Sequence, residues 1–116
     1  MTPHRVSLHV EGVEHAAPIP MGARVGNMVF SSGIMGKDPA TGEVPDDAAA
    51  QARLAFANMR SLIEGAGGSL ADIGHVRVLM KDETVREHVN PPWLDFFPDP
   101  DDRPARHAVV TPLRGK

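Results

Sequence analysis

Residues 46–68 carry the one long periodic run in this chain, and it reads as an amphipathic helix. Asp46 and Asp47 open it, where carboxylates cap free N–H groups and suit the positive end of the helix dipole. Ala48, Ala52, Ala55, Phe56, Met59, Leu62, Ile63 and Ala66 then recur at three- and four-residue steps and make one apolar face. Arg53, Asn58, Arg60 and Glu64 fall mainly off that face. Gly65, Gly67 and Gly68 end the run by permitting a left-handed cap. Those glycines mimic a nucleotide fingerprint, but they follow a helix rather than a strand, so no dinucleotide site is expected.

A helix with a single apolar face needs a surface to cover, and the segments around it supply strands. Residues 5–10 alternate polar and apolar, and Glu11-Gly12 marks a turn. Residues 16–22, broken by Pro18 and Pro20, read as an extended apolar loop of the kind that lies against a partner or ligand. Residues 24–31 read as a second strand ending at Ser32-Gly33, and residues 36–42 have turn chemistry throughout. Residues 75–81 alternate like a strand. Asp82 can cap a second helix from Glu83, which Pro91-Pro92 should break. Asn90 would cap a restart there, with Trp93, Leu94, Phe96 and Phe97 as an apolar turn. The order β, β, hairpin, α, β, α, β predicts an α+β domain with helices on one sheet face.

Length bounds this to one domain over residues 1–116. A net charge of −3 and no Lys/Arg run argue against nucleic acid or an anionic membrane as partner. With no cysteine there is no disulfide, thiolate chemistry or Cys-ligated zinc. No apolar stretch approaches a membrane span, and the N-terminal residues lack a signal-type apolar core, so a cytoplasmic location is expected.

The chemistry points to residues 103–110. Pro104-Ala105-Arg106 leads into the alternating, β-branched His107-Ala108-Val109-Val110. Arg106 is expected at the start of a stiff strand, its planar fork of donors aimed in one direction, which suits a carboxylate. His107 should point to the opposite face in a structural role.

Gly26-Asn27-Met28-Val29-Phe30-Ser31-Ser32-Gly33 comes first, then Asp38-Pro39-Ala40-Thr41-Gly42-Glu43. Ala50-Gln51-Ala52-Arg53, Asn58-Met59 and Pro104-Ala105-Arg106 follow in order. Over roughly residues 22–114 this order resembles the Rid family of reactive-intermediate deaminases, the YjgF-type proteins. The resemblance implies a chorismate-mutase-like sandwich with a mixed sheet and two helices on one face. It also implies a homotrimer with three clefts between subunits. The implied reaction is hydrolysis of 2-imino or 2-enamino acids to 2-oxo acids and ammonia, on a small carboxylate-bearing substrate and with no cofactor. Arg106 maps onto the carboxylate clamp. Ser32 and Gly33 map onto the family's Ser-Gly, where an N–H can approach a ligand; a plain turn is the competing reading. Asn90 maps onto a cleft Asn and equally suits a helix cap. Ala108 stands where the family often has Cys and can offer only its backbone N–H.

Two departures from the family pattern stand out. The loop before the Gly-Asn segment is Pro18-Ile19-Pro20-Met21, and the chain has no Tyr, so that wall of the pocket is apolar. The family has one further strand with a water-positioning acid; Gly115-Lys116 is expected to be the turn into it, the acid lying beyond residue 116. The altered loop admits an aminomuconate-type substrate, whose second carboxylate would call on Arg24. A non-catalytic metabolite-binding or chaperone-like module on the same scaffold is the alternative class. His4, His9, His15, His75 and His88 show no metal spacing, and Met21, Met28, Met35, Met59 and Met80 read as packing.

Overall fold

The computed structural model describes residues 4–112. In chain order it has β1 (Val6–Leu8), β2 (Gly22–Val25), β3 (Met28–Ser31), α1 (Ala48–Gly65), β4 (His75–Met80), α2 (Arg86–Phe96) and β5 (Ala105–Val110). The α+β expectation holds. Strands run in both senses, β1-β2-β3 as an antiparallel sheet and β4-β5 as a parallel pair. The parallel pair needs a crossover, which α2 provides. The expected turn at Gly115-Lys116 lies outside the described residues.

The single strand expected over 24–31 is instead a hairpin. Arg24 pairs with Val29 and Val25 with Met28. Gly26 takes a φ of 60° at the turn, a conformation open to glycine at the first central position of a two-residue loop. Gly26-Asn27 is thus the punctuation between two strands rather than part of one.

Helix α1 begins and ends as its sequence directs. The Asp47 carboxylate accepts from Ala50 N–H. At the other end Gly67 (φ 93°) donates to Glu64 O, and Gly68 donates to Ile63 O at 2.9 Å, a reciprocal pair that satisfies otherwise free carbonyls. Arg24 Nη1 adds a third donor, to Ala66 O at 3.2 Å. One correction concerns Asn58. It is 2% exposed, and its Nδ2 donates to Met35 O at 3.0 Å and Lys37 O at 2.8 Å. The helix therefore pins the loop after Gly33 with a buried amide. Gly36 fits the same seam, since a Cβ there would stand 2.2 Å from Gln51 O.

Helix α2 corrects a second expectation. Asp82 caps a short 3-10 turn, Glu83–Val85, which passes straight into α2 with Pro91 and Pro92 inside the helix. Prolines at these positions withdraw N–H groups from the carbonyls of Glu87 and His88. Glu87 is exposed and His88 half-exposed, so water can serve there. Val89, Pro92 and Trp93 are buried on the other side, and that burial carries the helix through. Asn90 is consequently an exposed mid-helix residue with no side-chain hydrogen bond, rather than a cap.

Helix α1 bridges two cores. With α2 it covers β4 and β5 through Phe56, Met80, Val89, Trp93 and Phe97, against which Val76, Val78 and Ala108 pack. Over the antiparallel sheet, Leu62 meets Val13 and Met21, with Leu8, Val10 and Ile34 around them. Met21 and Met80 are packing residues as expected, whereas Met28 and Met35 are exposed. Gly22 faces Leu62, so Ala23 and its partner Phe30, and Val25 and its partner Met28, face away from the helices. Phe30, Met28 and Leu79 are each about half exposed there.

Candidate functional site

Arg106 enters the sheet opposite Val76, and Ala108 opposite Val78. Both valines pack under the helices, so alternation turns Arg106 inward with Ala108 and leaves His107 exposed beside Arg77. The expectation for both faces is met. Arg106 is half-buried, and its guanidinium carbon lies over the Trp93 ring, 5.0 Å from the centroid. Its Nη1 is buried without a hydrogen-bond partner, and no carboxylate pairs with it among the described residues. A buried donor left unmatched costs on the order of 1–3 kcal/mol, and this nitrogen carries no such match among the described residues.

The ring beneath it is well fixed. Trp93 is 9% exposed and lies 4.9 Å from Phe97; Phe97 approaches Phe96 at 6.4 Å, and Phe96 meets Phe56 edge-on at 5.5 Å. Arg103 secures the helix end below, donating from Nε to Phe97 O at 2.8 Å. Asn90 precedes Trp93 by one helical turn and presents its free amide on a neighbouring part of α2. Arg106, Ala108 and Trp93 thus come together as one group between β5 and α2, and among the described residues no hydrogen bond or ion pair joins Asn90 to them.

Ser32 and Gly33 form another, at the end of β3 in the other sheet. Ser32 Oγ donates to Pro20 O at 2.7 Å, and its N–H donates to Met21 O at 2.9 Å. The hydroxyl therefore holds the apolar loop. Gly33 is exposed, its N–H bonds nothing among the described residues, and a Cβ there would meet no atom within 4 Å. Packing does not demand glycine at this position, and its φ lies outside the positive region. No hydrogen bond or ion pair joins this group to Arg106 within the described chain.

Sequence reasoning missed Trp93 as the partner of Arg106, since the prolines hid the helix that carries it. Arg24, the cation considered for a second carboxylate, is engaged at the end of α1. A surface depression of about 320 Å³ near Leu70, Phe96, Asp99 and Arg103 contains none of the expected site residues. Among the described residues no group of His, Asp or Glu could hold a metal ion, and no helix is long and apolar enough to cross a membrane.

Known proteins resemble this chain in sequence and fold. Residues 13–113 match the family model Ribonuc_L-PSP, described as endoribonuclease L-PSP. The 2-iminobutanoate/2-iminopropanoate deaminase of Escherichia coli K12 is 39% identical over 93 residues, covering 79% of this chain and 73% of that protein. The crystal structure of the YjgF gene product from E. coli superposes with a TM-score of 0.81 at 34% identity, covering 91% of this chain and 85% of the other. E. coli TdcF with bound serine gives the same TM-score and coverage at 30% identity. With most of its length matched by model, sequence and structure alike, the chain belongs to the endoribonuclease L-PSP family, the YjgF/RidA proteins.

Proposed function

We propose that this protein hydrolyses small 2-imino and 2-enamino acids to 2-oxo acids and ammonia, without a cofactor, with Arg106 gripping the substrate carboxylate. The observation that carries the reading is the unmatched Nη1 of Arg106, held over Trp93 in a chain 39% identical to an imine deaminase. Serine bound to TdcF, a protein 30% identical, supports a small α-carboxylate as ligand.

The chemistry asks little of the protein beyond placement. An iminium carbon is already electrophilic. Water adds to it, giving a carbinolamine; proton transfer to nitrogen and collapse of that intermediate expel ammonia and leave a C=O bond. A clamp on the adjacent carboxylate holds the reacting carbon in one place, and positioning of this kind is a large part of catalysis. Gly33 N–H is a second donor suited to close approach, and Asn90 a third. Ser32 acts by holding the 16–22 loop, and Ala108 can offer only its backbone N–H.

The Arg106 group and the Ser32–Gly33 group lie on different sheets of one chain. Assembly into a homotrimer would let each cleft take one group from either neighbour. Met28, Phe30 and Leu79, exposed on the side away from the helices, give such an assembly apolar surface to bury. The RNA-cleaving activity in the family description finds less support, since no Lys/Arg run offers phosphate contacts.

The test generates an imino acid in situ with an amino-acid oxidase and follows ammonia or oxo-acid release. Wild type should accelerate release, and Arg106→Ala should lose about 100-fold in kcat/KM, the scale of a charge pair stripped of one partner. Equal rates with wild type, Arg106→Ala and no protein would instead leave a carboxylate-binding module.

A further inference from the structure

We infer that Trp93 is a positioning residue for the substrate clamp, holding the Arg106 guanidinium by its ring face in place of an acidic partner. This rests on the deaminase reading and goes one residue beyond it.

An Arg fixed in a protein interior is ordinarily oriented by a carboxylate. Such a partner would fix the side chain but would also occupy its donors and cancel the charge that an anionic substrate needs. Among the described residues Arg106 has no carboxylate partner and no hydrogen-bond acceptor. Among the described residues its one directional contact is the indole, 5.0 Å from the guanidinium carbon. The negative face of a ring attracts a cation while taking up no conventional acceptor position. Charge and N–H donors both stay available.

Orientation follows from how the two side chains are mounted. Trp93 is buried, backed by Phe97 at 4.9 Å, and set on a helix whose end Arg103 fastens. Arg106 comes from a strand in register with β4. A flexible side chain is thereby held between a rigid ring and a rigid strand. Confining it before substrate arrives reduces the ordering cost of binding.

Trp93 is also the chain's single tryptophan, so its emission reports on the clamp directly. The probe is 2-oxobutanoate, a 2-oxo acid of the product class, titrated into the wild-type protein with calorimetry and fluorescence in parallel. Emission should change with the calorimetric saturation curve, and Arg106→Ala should abolish the change. Trp93→Leu should weaken 2-oxobutanoate binding about tenfold and raise KM for the imino acid by a similar factor, with kcat within about twofold, as loss of a cation–π contact predicts. Trp93→Phe, which keeps a ring face, should recover most of the affinity. Unchanged emission at full saturation, or wild-type affinity in a folded Trp93→Leu protein, overturns the role of Trp93 and leaves the deaminase reading intact. A wild type that neither binds 2-oxobutanoate nor releases ammonia defeats the deaminase reading itself, and the role of Trp93 with it.

Discussion

At the β5 end of the molecule the important side chain is propped by rings: Arg106 on Trp93, Trp93 on Phe97, and Phe96 between Phe97 and Phe56. At the β3 end the important groups are held by backbone carbonyls. Ser32 bonds Pro20 O, and Asn58 reaches up from α1 to Met35 O and Lys37 O. The first end presents a side-chain charge, which can be supported by apolar packing because a ring does not consume its donors. The second presents a backbone N–H, whose position depends on the path of the loop. A loop path is most securely set by hydrogen bonds to its own peptide groups.

Substitutions should separate the two ends. The largest effect is that of Arg106→Ala on turnover, with melting little changed, because Arg106 has no hydrogen bond to lose among the described residues. Asn58→Leu comes next and acts the other way. It leaves two carbonyls without their donor, so urea melts should show a loss of about 2–4 kcal/mol. A loss under about 0.5 kcal/mol would mean the amide does not set the loop. A glycine pair gives the sharpest contrast. Gly36→Ala puts a Cβ against the α1 backbone and should cost about 1–3 kcal/mol. Gly33→Ala meets open space, so stability should stay within about 0.5 kcal/mol while deaminase activity falls. Equal activity in the two folded variants would remove Gly33 from the site.

The smallest effect lies at the entrance to α2. A hydrogen bond from the Thr84 hydroxyl, then one from its N–H, holds the exposed Asp82 carboxyl below the usual carboxylate range. A depressed folded value means that its stabilising contribution is present above the unfolded carboxylate range. The contribution is lost as pH falls below about 4 and through the folded value. Circular dichroism in acid should show α2 fraying in that window, and Asp82→Asn should flatten the pH dependence.

Much of this architecture was legible in local chemistry. The caps of α1 announce themselves in Asp47 and in Gly67-Gly68, and the inward aim of Arg106 follows from alternation after Pro104-Ala105. What escaped was decided by distant partners. Pro91-Pro92 reads as a break unless one knows that Trp93 and Val89 bury against Phe56 and Met80. Asn58 looks like a surface amide unless its acceptors, more than twenty residues back, are in view. Gly26-Asn27 sits within a run of apolar residues, and only the pairing of Val25 with Met28 reveals it as a corner. Arg106 was therefore readable as a candidate in the sequence, and its aromatic support, Trp93, was not.

Helix α1 has a role that neither end could supply. Residues 6–31 build one set of strands from near neighbours, and residues 75–110 build another around their own crossover. Each could cohere locally, yet Leu62 belongs to the first core and Phe56 to the second. A partial opening of either module drags on the same rod, so α1 couples the breathing of the two halves. It should be the last element to surrender its amides to solvent exchange.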